Sequence, residues 1–231
     1  MTYLRLCVGA LLASGCGLID SDVTNFDLTL PEKGFSVDAS GWQVNQMAAD
    51  AFLGTNCSSS PTICASAASN ACPMNCTGQC STTTSTCELA LDVGVYKSID
   101  LVTEKPELKT IEDKPIIKVT IDSVKYRVGA NTLNVDTPAM KVMVAPMSVM
   151  DPDDPMAKQI GTIPAVSAMT VIGAAELMFT SDGKQILAET MGQYKTPFNV
   201  IVGTQLVMQS GDLVPTGKLD AVVQITAHAG L

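Results

Sequence analysis

Six of the eight cysteines in this chain, Cys57, Cys64, Cys72, Cys76, Cys80 and Cys87, fall within residues 55–88. The surrounding residues are mostly Ser, Thr, Ala and Asn, with no Lys or Arg. A stretch of that composition has too little apolar mass to order itself by burial. Something covalent has to compensate. Cys72, Cys76 and Cys80 follow a C-x3-C-x3-C spacing, unlike the C-x2-C knuckles of structural zinc sites or the usual ferredoxin runs. No histidine lies nearby. The even number therefore reads as three disulfides, with fifteen pairings open. Bridges worth about 2–4 kcal/mol each can order a segment that lacks a core of its own.

Disulfides belong outside the reducing cytoplasm, and the N-terminus supplies an export route. Arg5 forms a short basic region, Leu6 to Leu12 an apolar one, and Ala13-Ser14-Gly15 place small residues before Cys16. A transmembrane helix needs roughly 20 apolar residues, whereas this run ends at Gly15–Gly17 and meets Asp20 and Asp22. The stretch Leu12-Ala13-Ser14-Gly15-Cys16 resembles the lipobox of bacterial lipoproteins. That resemblance covers about the first sixteen residues. It implies that residues 1–15 are a signal peptide cut before Cys16, and that Cys16 carries fatty acyl groups such as palmitate. Gly17 stands where an Asp would favour inner-membrane retention, so the family rule points to an outer-membrane lipid anchor in the cell envelope. Unlipidated secretion is the rival, because the same small residues suit the ordinary signal peptidase.

Charge excludes some partners. Removing residues 1–15 takes away Arg5 and no acidic group, so the formal charge of −9 becomes −10. Phosphate backbones repel such a chain, which argues against nucleic acid. Anionic membrane surfaces are disfavoured in the same way, which leaves the N-terminal lipid as the membrane contact. With 46% hydrophobic and 16% charged residues the chain is globular. Aromatics make up only 4%, few for a sugar-binding platform, and the single Trp42 reads as a packing residue.

Period-two alternation dominates the rest. Phe26 to Leu30 reads as a strand, Pro31 to Gly34 as a turn, and Phe35 to Val37 as a returning strand. Residues 42–53 suit a short helix with Trp42, Met47, Ala48, Ala51 and Phe52 on one face and Gly54 as its stop. Further strands follow at Leu89–Val95, Ile117–Val128, Met140–Val144, within Met169–Thr180, from Phe198, and at Leu219–Ala227. The alternation slips by one residue at Asp122–Ser123, as a β-bulge would require. Gly129 to Thr132 reads as a turn, and Ser181 to Tyr194 as a second short helix with Ile186, Leu187 and Met191 on one side. The expected fold is all-β and mainly antiparallel: a β-sandwich with a disulfide-rich insert and one or two short helices. The expected divisions are a signal peptide at 1–15, a lipidated tether at 16–25, strands and a helix at 26–54, the cysteine segment at 55–88, and the sandwich at 89–231.

Candidate chemistry is sparse. The only histidine, His228, lies three residues from the end and opposite in facing to the apolar set of the last strand. It reads as solvent-facing rather than as a triad base. Ser181-Asp182-Gly183-Lys184 matches S-x-x-K without its companion motifs, and Thr216-Gly217-Lys218 lacks a phosphate loop's lead; both read as turns. Asp151-Pro152-Asp153-Asp154-Pro155 offers Asp151, Asp153 and Asp154 as a weak calcium candidate, with a solvated turn preferred. No motif implies a cofactor. The function expected is a lipid-anchored envelope protein with a structural or protein-interaction role and an envelope protein as partner. The alternative is an apolar-ligand or lipid-binding module, its pocket lined by Met140, Met143, Met147, Met150 and Met156. A hydrolase with an unrecognised site ranks third.

Overall fold

The computed structural model of the chain describes residues 26–111 and 117–230. The expected signal peptide at 1–15, Cys16 and the expected tether at 16–25 lie outside the described residues. Among the described residues eleven strands form two antiparallel sheets, and two of them, Cys76–Cys80 and Lys158–Ile163, have no counterpart among the expected strands. The first sheet holds β1 (Phe26–Asp27), β2 (Lys33–Asp38), β5 (Lys118–Asn131), β8 (Ile172–Glu176) and β11 (Lys218–Gly230). Its order is β1-β11-β5-β8, with β2 lying beside β1 along the same edge of β11. The second sheet runs β3-β4-β10-β6-β7-β9. Its strands are β3 (Cys76–Cys80), β4 (Cys87–Ile99), β6 (Met140–Pro146), β7 (Lys158–Ile163), β9 (Met178–Phe179) and β10 (Phe198–Met208).

Val, Ile, Leu and Tyr side chains from the inner faces form one core. Phe35, Tyr126, Val128, Leu219 and Val223 of the first sheet meet Val95, Met140, Ile163 and Val202 of the second around a gap of about 10 Å³. The chain passes between the sheets within one residue, since β8 ends at Glu176, β9 starts at Met178, and Leu177 between them is buried. A sandwich-like all-β fold follows.

The slip at Asp122–Ser123 is a bulge. Thr226 pairs with Ser123 and Ala227 with Ile121, which leaves Asp122 as the extra residue. The turn expected at Gly129–Thr132 starts later: a second bulge leaves Gly129 unpaired, and β5 continues pairing to Asn131. The strand expected to return after Pro31 does not return. Leu28 and Leu30 N–H donate to Ala227 and Ile225 of β11, and β2 resumes on the same strand with Lys33 opposite Val223. Proline has no N–H to donate, so the chain bulges by one residue at Pro31–Glu32 instead of turning.

Two helices match expectation and two are additional. Of the first kind, α1 (Gln46–Leu53) starts where Asn45 Oδ1 accepts from Ala48 N–H at 3.0 Å. It buries Ala49, Phe52 and Leu53, while Met47 is 83% exposed, so the helix is rotated from the expected face. The helix α4 (Gly183–Gly192) buries Leu187 and Met191 as read. Unanticipated are α2 (Thr62–Ala71) and the single turn α3 (Leu101–Glu104), capped by Asp100. In α2 the buried stripe is Cys64, Ala68 and Ala71, helically spaced but made of small residues. Strand β3 and the start of β4 come from the cysteine segment, so residues 55–88 extend the second sheet, and a boundary at 89 falls inside β4.

Candidate binding groove and cysteine cluster

On the outer face of the second sheet, Gly94 of β4 lies opposite Gly203 of β10, and Gly203 lies opposite Lys141 of β6. Two glycines side by side leave a notch in a surface otherwise covered by side chains. Pro152 fills it. A Cβ on Gly94 would come within 3.0 Å of Pro152 Cδ, and one on Gly203 would collide with the proline ring. Glycine inside a strand often marks such a close approach, and this was the one signal in the sequence that could have located the site.

The loop carrying Pro152 is fastened by a small core of its own. Met143, Ala145 and Ile201 on the outer face are covered by Val149. Asn199, fully buried, donates from Nδ2 to the carbonyls of Met147 at 3.1 Å and Val149 at 2.8 Å, while its Oδ1 accepts from Ser98 Oγ at 2.7 Å. The acidic loop is a turn with Asp151 and Asp153 exposed, anchored on the sheet as a flap through Val149 and the Asn199 bonds.

Between flap and sheet runs a groove of about 640 Å³, lined by Asn75, Asp92, Lys141, Asp151, Asp153 and Gln205 among others. Asp92 and Gln205 are cross-strand partners, joined by Gln205 Nε2 donating to Asp92 Oδ1 at 2.9 Å. Asn75 is held in the left-handed region (φ 55°) inside the loop closed by Cys72–Cys76, and its carbonyl accepts from Asp92 N–H at 2.8 Å. Trp42 is buried, as expected of a packing residue, and its Nε1 donates to the Asp92 carbonyl at 2.9 Å.

Of the calcium candidates, Asp151 and Asp153 face this groove and Asp154 is not among its lining residues. Asp151 Oδ1 accepts from Asp153 N–H and Asp154 Oδ1 from Met156 N–H, at 2.9 and 2.8 Å. These are local turn bonds that hold the loop's shape. The methionines do not converge on one pocket. Met140 and Met143 are buried on opposite faces of β6, and Met147, Met150 and Met156 are each about half exposed. Met156 borders a shallower depression of about 420 Å³ together with Val144, Pro146, Pro155, Lys158 and Phe198.

His228 stands on the exposed face of β11, opposite Asp27 and Thr120, with Nδ1 3.0 Å from Asp122 Oδ1 at the bulge. Lys184 lies 5.3 Å above the Phe179 ring, and Asp182 precedes the first turn of α4, so the Ser181–Lys184 stretch is a helix start. Gly217 (φ 90°) turns the chain into β11, and Lys218 pairs with Asp38 at 2.8 Å.

The cysteines pair as Cys57–Cys80, Cys64–Cys87 and Cys72–Cys76. The sulfurs of Cys57, Cys64 and Cys80 lie within 4.8 Å of one another, but each is spent in a disulfide and offers no thiolate to a metal. Helix α2 rests on β3 so closely that a Cβ on Gly78 would strike the Cys64 carbonyl. Comparison with protein-family models and with curated protein sequences finds no match to this chain.

Proposed function

We propose that this protein is a lipid-anchored, non-enzymatic component of a bacterial cell envelope, held in the outer membrane through Cys16, that acts by binding a protein partner. The observation that carries the reading is the joining of six cysteines as three disulfides, taken together with the resemblance of residues 1–15 and Cys16 to a lipoprotein export signal and its cysteine. Disulfides of that density suit a compartment outside the cytoplasm. The contact surface we assign is the groove under the Pro152 flap, where mixed polar groups sit on a rigid sheet.

A second reading, an apolar-ligand module, draws support from the depression beside Met156 and Phe198. The gap of about 10 Å³ between the sheets has room for about one water at most, so cargo would sit in that depression and not between the sheets.

Membrane fractionation of wild type beside Cys16→Ala, exported from the same signal, tests the anchor. The wild type should stay with the outer membrane and take up labelled palmitate, and the variant should not. A wild type that fractionates as free soluble protein would overturn the proposal. Crosslinking in intact cells then separates the two readings, a protein neighbour supporting the first and a co-purifying lipid the second.

A further inference from the structure

Although Cys57, Cys64 and Cys80 belong to two different disulfides, their sulfurs all lie within 4.8 Å of one another. Cys87, the partner of Cys64, stands outside that group of three sulfurs but sits directly opposite Cys80 in the β3–β4 pair. Beyond that pair, Ser81 N–H donates to the Thr86 carbonyl at 2.9 Å, while Cys87 N–H donates away from β3, to the Thr55 carbonyl at 3.0 Å. Cys80 and Cys87 are thus a non-hydrogen-bonded pair, the position where cross-strand side chains approach most closely, with Cα atoms about 4.5 Å apart. That separation lies inside the range a disulfide spans. Sulfur proximity for Cys57 and Cys64, and strand register for Cys80 and Cys87, accordingly admit a second pairing, Cys57–Cys64 with Cys80–Cys87.

We propose that Cys57, Cys64, Cys80 and Cys87 form a thiol-triggered exchange site, at which an external thiolate converts two long-range disulfides into two local ones and uncouples α2 from β3.

Burial sets the order of events. Cys57, Cys64 and Cys87 are buried, and Cys80 is half-buried, so Cys80 is where a thiolate from solvent enters. That thiolate attacks Cys80 Sγ, forming a mixed disulfide and breaking Cys57–Cys80, with the electron pair leaving on Cys57 sulfur. The Cys57 thiolate attacks the neighbouring Cys64 Sγ, forming Cys57–Cys64 and releasing the Cys87 thiolate. Cys87 then attacks Cys80 across the strand pair, forming Cys80–Cys87 and expelling the original thiolate. Each step is an ordinary exchange through a thiolate and a disulfide. The trigger is regenerated, and nothing is oxidised or reduced overall.

The resting pairs each link residues 23 positions apart, tying α2 and the loop before it to the β3–β4 hairpin. The exchanged pairs are each confined to one side. Helix α2 packs on β3 at Gly78, a contact that the long-range pairs hold in place, so the long-range pairing is the resting state. Exchange leaves Cys72–Cys76 as the last disulfide between helix and hairpin, at the border of the groove. The proposal rests on these four residues and is independent of the anchor at Cys16.

Met74 lies between the two halves of the cluster, and cyanogen bromide cleavage yields segments 48–74 and 75–140. In a Cys72→Ser/Cys76→Ser variant these segments stay joined in the resting pairing and separate, without reduction or free thiols, in the exchanged one. The oxidised protein is incubated with a trace of reduced glutathione, quenched in acid and cleaved. The expected result is a separated fraction that rises with time at constant thiol count and is severalfold larger with Gly78→Ala, which weakens the α2–β3 contact. Segments that part only as free thiols accumulate, in both proteins, would overturn the proposal. Mass-spectrometric mapping of disulfides in the unaltered chain gives the same decision should the serine variant fold poorly.

Discussion

Gly94 and Gly203 face each other across β4 and β10, and Pro152 lies against both. Glycine costs a strand interior conformational entropy, and the contact explains why that cost is borne here. Two missing side chains let a proline approach the sheet, and the proline holds the flap that forms one wall of the groove.

The two glycines should respond unequally to a methyl group. On Gly203 a Cβ collides with the Pro152 ring, while on Gly94 it meets Cδ at 3.0 Å, which a slight shift relieves. Gly203→Ala is expected to destabilise by about 1–3 kcal/mol, the range for overpacking, and to lift the flap. Gly94→Ala should stay close to wild type. Urea unfolding of the two variants checks the order, and equal costs would show that the notch does not position Pro152.

Asn199 should be the flap's main polar fastening. It is fully buried and bonds Ser98 and the carbonyls of Met147 and Val149. Asn199→Ala leaves these groups without their partner, at a cost of about 1–3 kcal/mol. Asn199→Asp should be at least as harmful, because a carboxylate cannot donate to two carbonyls. Amide hydrogen exchange should quicken across residues 147–157 and hold steady in β5 and β11. Uniform quickening would assign Asn199 to global stability instead.

Much of the sandwich is legible in the sequence because burial on one face imposes period two, and even the Asp122 bulge shows as a slipped phase. What escapes detection has a physical cause in each case. Helix α2 buries only Cys and Ala, so its stripe is invisible to a search for large apolar residues. Strand β7, Lys-Gln-Ile-Gly-Thr-Ile, is broken by Gly161, whose missing side chain makes room for Leu177. The β1–β2 edge misleads because Pro31 signals a turn when read alone, whereas β11 runs past it as a continuous template. The groove draws Asn75, Asp92, Lys141 and Gln205 from four separate segments, and no local pattern unites them. The disulfide partners likewise depend on how α2 lies over β3.

Gly78 should be the most sensitive glycine of the cysteine region. A side chain there would strike the Cys64 backbone carbonyl, and backbone within a disulfide-tied helix has little freedom to move. Gly78→Val is expected to cost at least about 1–3 kcal/mol and to lower the yield of correctly paired protein on oxidative refolding. Unchanged yield and stability would mean that α2 does not seat on β3 as described.

Acid should loosen the pairing of β2 with β11 through Asp38. This residue lies opposite Lys218 in the strand register, and its carboxylate accepts from Lys218 Nζ at 2.8 Å and from Ser40 N–H and Oγ at 3.0 and 2.7 Å. The Lys218 ammonium first, and Ser40 after it, hold the Asp38 carboxyl down at about 2, from an ordinary 3.8. A group whose pKa is depressed on folding adds stability above its unfolded value and loses that addition as pH falls through the folded one. The contribution is therefore complete above pH 3.8 and fades toward pH 2. Lys218 mirrors this at high pH: its pKa is raised above 10.5 by the same carboxylate, so its contribution is whole below that pH and lost well above it. Both side chains are substantially exposed, so the effect should be modest and weakened by salt. Stability followed by urea titration from pH 5 to pH 2 should fall less steeply in Asp38→Asn than in wild type, and the difference should shrink in high salt. Parallel curves for the two proteins would show that this pair does not couple β2 to the sheet.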